Sequence, residues 1–213
     1  MTKTDLKAER TDLYAPKPGI FVDVDVPPMS YLMVDGHGDP NSESAYTDAV
    51  EALFAVSYAV KFASKRELDR DYVVMPLEGL WWADDPAVFA ARLKSDWDWT
   101  MMIRQPDWVT EAMITAATDA VTAKKGLPGV PGLRFAVLDE GRSIQTMHLG
   151  GYDDEGPVLD ELHSRYLPAH GLAESGRHHE IYLSDPRKTE TAKLRTILRQ
   201  PVRVLVPEVR ETP

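Results

Sequence analysis

The sequence predicts an α+β fold that is built from two similar halves. The stretches "MVDGHGDP" and "MHLGGYDD" each close a strand with a glycine-rich turn and open a helix. The Pro- and Gly-rich stretch "LPGVPGL" lies between them. Because the order strand, glycine turn, helix, strand occurs twice, we predict an internal duplication with pseudo-repeats over about 29–126 and 133–213. Two such halves would face one another across a cleft, which is a natural place for a ligand.

The first half is predicted element by element from its periodicity. Residues 1–19 are polar and end in "APKPG", so we expect an extended, flexible lead-in before a domain over 20–213. Alternation from Met29 predicts a strand, and apolar residues at helical spacing predict an amphipathic helix over 44–64. The remaining elements of this half are strands over 72–82 and 95–105 and helices over 85–93 and 107–126.

The second half repeats this order. A strand leads into the glycine turn at 150–151, and a helix begins at Pro157 and ends at Gly171. The stretch "HHEIYLS" predicts a strand over 178–184. We then expect a short helix over 189–200 and a last strand over 202–209.

Composition limits the classes of function. The 213 residues are 43% hydrophobic, enough for a core, and their formal charge of -10 works against binding of nucleic acid. The absence of cysteine excludes disulfides and thiolate chemistry. No secretory signal or membrane span is recognisable, so we predict a cytoplasmic protein with no membrane partner.

Carboxylates and aromatic residues on the predicted strands form the candidate site. Side chains alternate across a strand, so His178, Glu180 and Tyr182 share one face, which we predict to line the cleft. The same count adds residues from the other strands: Tyr31, Met33, Glu78, Trp82, Trp97 and Trp99. Such a cleft suits a flat aromatic or cationic guest, and a desolvated glutamate in it has a raised pKa and can deprotonate water.

Structural explanations compete with each of these assignments. Tryptophan pairs commonly pack in cores, and strand glutamates and tyrosines commonly face solvent. "GHGDP" lacks the full dinucleotide fingerprint, so we predict no cofactor. His178 and His179 point to opposite faces of a strand, and the other histidines lack a zinc spacing, so no metal site is predicted.

Three motifs together resemble one family. "MPLEGLWW", "HHEIYLSDPRKT" and "LRQPVRV" are similar to the GyrI-like small-molecule-binding domain, and the likeness runs from about Gly19 onwards. It is closer to the stand-alone members, some of which are cyclopropanoid cyclopropyl hydrolases. The family usually has arginine where this chain has Lys188. The resemblance implies tandem strand-helix-strand-strand (SHS2-type) repeats with pseudo-twofold symmetry around a central ligand cleft.

The resemblance also implies roles for particular residues. Glu180 matches a buried glutamate that meets flat cationic drugs in multidrug-binding relatives. Tyr182, Trp82 and one of Trp97 and Trp99 match an aromatic cage that holds a yatakemycin-type alkylator while water opens its cyclopropane. Glu180 would act as the general base, and Tyr182 would donate a hydrogen bond to the developing phenolate or position the water.

Two classes of function follow. We expect a hydrolase that detoxifies cyclopropane-bearing alkylators. The alternative is a non-catalytic protein that binds or senses flat cationic compounds. A gyrase-inhibiting interaction protein fits less well, because the chain length and the "LEGLWW" stretch match the stand-alone drug-binding members better.

Overall fold

The computed structural model describes residues 3–85, 88 and 93–205. Nine strands lie in this part of the chain: β1 (Val22–Val26), β2 (Met29–His37), β3 (Leu77–Trp82), β4 (Asp98–Arg104), β5 (Arg134–Leu138), β6 (Gly141–Leu149), β7 (Leu172–Glu174), β8 (His178–Tyr182) and β9 (Arg195–Val204). They form a sheet in the order β1-β6-β9-β8-β3-β4-β2-β5, with β7 beside β9. The described strand pairs are antiparallel. The predicted α+β class is confirmed.

The helices are unequal in length. Two short ones, α1 (Leu6–Glu9) and α2 (Thr11–Tyr14), precede the sheet, and α3 (Ser44–Glu67) and α4 (Glu111–Lys125) belong to the first half. In the second half the consecutive helical turns Gly156–Asp160, Glu161–Tyr166 and Leu167–Ala169 form one irregular helix, here called α5. In the described residues no helix combines the length and the apolar character that crossing a bilayer requires.

The two halves meet at the β3–β8 pair. First-half strands follow in the order β3, β4, β2 on one side of this pair, and second-half strands follow in the order β8, β9, β6 on the other. Outside them the halves exchange strands, since β1 pairs with β6 and β5 pairs with β2. The sheet is therefore pseudo-symmetric about the β3–β8 pair.

Helix α3 packs against the first-half strands β2 and β4. Its apolar stripe, with Leu53, Val56 and Val60, is fully buried. Helix α4 packs beside it. Thr110 caps the start of α4 through its hydroxyl, and Gly126 ends the helix with a left-handed φ of 58°.

The N-terminal segment differs from its prediction. Residues 3–19 were expected to be extended and flexible, yet they form α1 and α2 and cover one face of the sheet. Leu13 is completely buried and Tyr14 nearly so. The backbone carbonyls of Asp12 and Leu13 accept hydrogen bonds from the side chains of Gln145 and Arg199. The prediction failed because the partners of these polar atoms lie far away in the sequence.

The C-terminal elements also need correction. The helix predicted over 189–200 is wrong, because Arg195–Val204 is the central strand β9 and only Thr191–Lys193 form a helical turn. The last predicted strand begins within β9, and its residues after 205 lie outside the described part of the chain. The helix predicted over 85–93 likewise falls almost entirely outside it. Strand β3 begins only after Pro76 and lies inside the sheet.

Candidate functional site

A large cleft lies over the β3–β8 pair, between α3 on one side and α5 on the other. Its volume is about 2380 Å³, well above the roughly 300–1,000 Å³ of a pocket for a drug-sized ligand. The wall on α3 presents Tyr46, Val50 and Phe54 at i+4 spacing. The wall on α5 is polar and includes Asp160 and His163. The cleft therefore has one apolar and one polar side.

The floor of the cleft is formed by one face of β8. His178, Glu180 and Tyr182 lie on that face and line the cavity, as the alternation of a strand requires. The side chains of His178 and Glu180 are each 14% exposed. The rigid central position of β8 holds these groups in fixed directions.

Aromatic rings surround Glu180. We call the following five residues the aromatic cage, since each of them lines the cavity: Tyr46, Trp81, Trp97, Tyr152 and Tyr182. Tyr46 stacks on Trp81 at 6.4 Å between ring centroids, and Trp97 meets Trp81 edge-on at 5.7 Å. Tyr152 contacts Tyr182 edge-on at 5.5 Å. Such faces bind planar or cationic guests.

A hydrogen bond links the two halves within the cage. Trp81 Nε1 on β3 donates to Tyr182 Oη on β8 over 2.9 Å. Burial raises the pKa of Tyr182 well above its usual range, and the neighbouring negative charge of Glu180 adds to this rise. Tyr182 therefore keeps its proton beside the carboxylate of Glu180.

Gly79 makes room for this hydrogen bond. A Cβ atom at this position would lie 2.9 Å from Trp81 Nε1 and 3.1 Å from Tyr182 Oη. We expect Gly79→Ala to displace both rings and to weaken binding of a planar aromatic dye about tenfold, since a good ring contact is worth on the order of 1–2 kcal/mol. Fluorescence titration measures this change. Gly132→Ala, whose Cβ would make an ordinary 3.5 Å contact with Val34, is the matched control; equal losses in both variants would contradict the role of Gly79.

Two carboxyl groups meet in the cleft. Glu155, just before α5, is 4% exposed, lines the cavity and lies within hydrogen-bonding reach of Glu180. Burial raises the pKa of Glu155 far above its usual range, and the negative charge of Glu180 raises it further. The proximity of the two carboxyl groups therefore favours a state in which the pair holds one proton and carries a single negative charge. Such a pair can accept a proton from water.

Glu78 lies on the opposite face of the sheet. It is completely buried and accepts hydrogen bonds from Tyr14 Oη at 3.3 Å and Tyr31 Oη at 3.2 Å. His179 Nε2 lies 3.1 Å from the Glu78 carboxylate. The prediction that Glu78 lines the cleft is therefore wrong: with Gly79 and Trp81 on the cleft face, Glu78 must point away from it.

This buried face carries a network of charges. His179 Nδ1 is 3.0 Å from Glu140, and Arg199 Nη1 donates to the same carboxylate over 3.2 Å. Burial lowers the pKa of His179, but the charges of Glu140 and Glu78 outweigh burial and raise the pKa to about 9. Burial raises the pKa of Glu140, but His179 and Arg199 outweigh it and bring the pKa down to about 2. Both groups are charged at neutral pH, and they tie the β5–β6 turn to the centre of the sheet.

The raised pKa of His179 predicts how stability depends on pH. Its value is about 9 in the folded protein and about 6.5 in an unfolded chain. The contribution of His179 to the free energy of unfolding is therefore full below about pH 6.5 and lost as pH rises through about 9. Urea denaturation across this range measures the decline. We expect the decline to be smaller in His179→Gln, and a decline of equal size in that variant would contradict this assignment.

Several other predicted site residues lie elsewhere. Tyr31 and Met33 are buried on the same face as Glu78, so their predicted place in the cleft is wrong. Trp99 is 1% exposed and packs beneath Tyr46 against Gly36, outside the lining of the cleft. Strand alternation shows which residues share a face, but it does not show which face of β2 borders the cleft or which residues of β4 lie near its surface.

The remaining predicted residues border the cleft. Trp97 belongs to the aromatic cage, and Trp82 lies at the rim, where the guanidinium of Arg177 stands 3.4 Å above its ring. Lys94 at the rim forms an ion pair with Asp153 across the two halves. The rim therefore carries positive charges outside the negative carboxyl pair.

Sequence reasoning missed four residues of the site. Trp81, not Trp82, is the cage tryptophan of β3, and counting outwards from Gly79 would have found it. Tyr152 follows the second glycine turn at the position that Gly38 occupies in the first half, and Glu155 comes three residues later; this was the available signal. Tyr46 was read only as part of the amphipathic helix. In the described residues, no group of three or more His, Asp or Glu side chains is arranged to hold a metal.

We compared the sequence with models of known protein families. The model of the GyrI-like small molecule binding domain matches residues 24–203. A search of curated proteins found no match.

Three solved structures from Listeria innocua are similar over nearly the whole chain. One, described as an uncharacterized conserved protein, is 40% identical, with a TM-score of 0.86 over 94% of this chain and 100% of its own. Two are described as hydrolases: one is 38% identical, with a TM-score of 0.82 over 94% of this chain, and the other is 37% identical, with a TM-score of 0.85 over 95%. In both of these matches the alignment covers 100% of the Listeria chain.

Proposed function

The chain belongs to the GyrI-like small molecule binding domain family, and from this premise we propose that it hydrolyses the cyclopropane of DNA-alkylating compounds of the yatakemycin type. The substrate class is a planar aromatic or hydrophobic molecule held in the aromatic cage, and the biological role is detoxification. The observation that carries the proposal is the carboxyl pair Glu155–Glu180 enclosed by aromatic rings. The two similar structures described as hydrolases support it.

The proposed reaction is the addition of water to a strained ring. The oxygen of water attacks the less hindered cyclopropane carbon, and the bond between this carbon and the spiro carbon of the dienone breaks. Its electron pair passes through the conjugated dienone to the carbonyl oxygen, which becomes a phenolate. Glu180 takes the proton of the attacking water. Relief of ring strain and gain of aromaticity drive the step.

Neighbouring groups prepare Glu180 for this step. Burial and the charge of Glu180 raise the pKa of Glu155, which favours a single negative charge on the pair. Tyr182 lies beside Glu180 and is itself fixed by the hydrogen bond from Trp81. The cage rings orient the planar substrate over the carboxylate, and positioning of this kind lowers the barrier by removing the entropy of the encounter. Trp82 and His178 border the bound molecule at the rim and floor.

Product analysis tests the proposal. The purified protein is incubated with a spirocyclopropyl cyclohexadienone of the yatakemycin type, and mass spectrometry follows the compound. We expect a product heavier by one water molecule, formed faster than in buffer. An unchanged compound would overturn the hydrolase proposal.

The negative charge of Glu180 among aromatic faces favours a second candidate. We propose as the alternative that the protein binds flat cationic compounds without turnover, because such guests satisfy both the carboxylate and the ring faces. Tryptophan fluorescence distinguishes the two. Tight binding of cationic dyes, with no change in the mass of the cyclopropane compound, would favour the binding protein.

A further inference from the structure

Titratable side chains form a row along the polar wall of the cleft. From solvent inwards the side chains of Glu174, His163 and His178 are 56%, 28% and 14% exposed, and the row ends at Glu180. All four residues line the cavity. The opposite wall on α3 presents Tyr46, Val50 and Phe54 instead. The row therefore offers a path for protons between Glu180 and solvent.

The groups along this row lie close enough for proton transfer through small side-chain movements or single bridging water molecules. His163 Nδ1 lies 2.6 Å from Glu174 Oε1 at the outer end. At the inner end His178 Nε2 lies 3.6 Å from Glu180 Oε1. The two imidazole rings are 6.4 Å apart between centroids and meet at 68°. One water molecule suffices to bridge such a gap between polar groups.

His178 has no competing partner in the described part of the protein. Both ring nitrogens are inaccessible to solvent and lack a hydrogen bond there. Buried polar nitrogens are normally satisfied, so an exception calls for a functional reason. The charged groups that face His178 are Glu180 on its own strand, His163 on α5 and Glu174 on β7.

The chemistry proposed above leaves Glu180 protonated. Burial and the charge of Glu180 raise the pKa of Glu155, so the carboxyl pair already holds one proton, and the side chain of Glu180 is only 14% exposed. Glu180 must lose its proton before the next turnover. Histidine is the side chain that most readily accepts and releases a proton near neutral pH.

We propose that His178 takes the proton from Glu180 and passes it through His163 and Glu174 to solvent. The inference rests on the proposed function. The proton moves from Glu180 to His178 Nε2, and the second nitrogen of His178 releases a proton towards His163. The phenolate product takes a proton from solvent, so each cycle adds one water in total. His178 acts through Glu180 and does not touch the reacting atoms.

The variant His178→Gln tests this relay, because glutamine is of similar size but does not carry protons. We expect the first turnover, measured with enzyme in excess, to stay within about twofold of the wild type, since the relay acts only after Glu180 has taken the proton of the first water. Steady-state kcat should fall about tenfold or more, since proton transfer by a positioned group contributes about 10²-fold or more. Added imidazole should restore much of this loss, and His163→Gln should show a weaker loss of the same kind.

His170→Gln is the matched control. His170 stacks on Tyr166 outside the cleft, and its replacement should leave both rates unchanged. Equal losses of single-turnover and steady-state rate in His178→Gln, without rescue by imidazole, would overturn the relay. So would unchanged rates. Absence of turnover in the wild type would overturn the hydrolase proposal and the relay together, whereas a relay failure alone leaves wild-type turnover intact.

Discussion

Replacing Glu180 with glutamine is expected to lower kcat by about 10²–10⁴-fold, the range in which a general base contributes to catalysis. Glutamine has nearly the same shape as glutamate, so binding of a neutral planar compound should change little. Its amide does not take a proton from water. Product formation measured by mass spectrometry, with tryptophan fluorescence for binding, separates the two effects.

The carboxyl pair predicts a second consequence of the same substitution. The negative charge of Glu180 helps to raise the pKa of Glu155. Its removal should let the pKa of Glu155 fall towards its ordinary value. The control is Glu67→Gln at the exposed end of α3, which should keep full activity. Wild-type turnover by Glu180→Gln would exclude Glu180 as the base, and loss of binding together with turnover would point to a structural role.

Replacing Arg199 with methionine is expected to destabilise the protein by about 3–5 kcal/mol, the cost of removing one partner of a buried ion pair. Arg199 is completely buried and binds Glu140, the side-chain carbonyl of Gln145 and the backbone carbonyl of Leu13. Without it the carboxylate of Glu140 keeps only His179 as a charged partner among the described residues, and the N-terminal segment loses a hydrogen bond. Urea denaturation measures the change.

Arg142 offers a matched control for this effect. It also pairs with a carboxylate, Asp23, over 2.6 Å, but the two side chains are 45% and 46% exposed. Arg142→Met should therefore cost less than about 1 kcal/mol. Equal losses in the free energy of unfolding for the two methionine variants would show that burial does not make the Arg199 network more stabilising than an exposed ion pair.

Local patterns predicted much of the first half. The strand at Met29, the helix at Ser44 and the strand containing Trp99 follow from the periodicity of their apolar residues. The glycine turns revealed the duplication. The face of β8 that carries Glu180 and Tyr182 also follows from simple alternation.

The rest depends on pairing between distant residues. The first residues of β9 are predicted as a helix, and the buried Arg199 among them finds its partners Glu140 and Leu13 far away in the sequence. Strands β1 and β5 were missed because each pairs with a strand of the other half. Glu155 sits in a glycine-rich turn, and only the folded chain brings it to Glu180. These features are set by tertiary contacts, which local propensity does not encode.

Because β1 and β5 each pair with a strand of the other half, the single chain is arranged like a dimer of two similar subunits. Each half supplies the outermost strand of the other, as partners do in a domain-swapped pair. A half made alone would lack that strand and would expose the backbone edge that the strand covers. Cleavage within 127–133 should therefore yield two fragments that stay associated. In a dimer of identical subunits the two sides of such a cleft would have the same sequence. Because the two halves here belong to one chain, their sequences differ, and one side carries the acidic groups while the other carries the apolar surface.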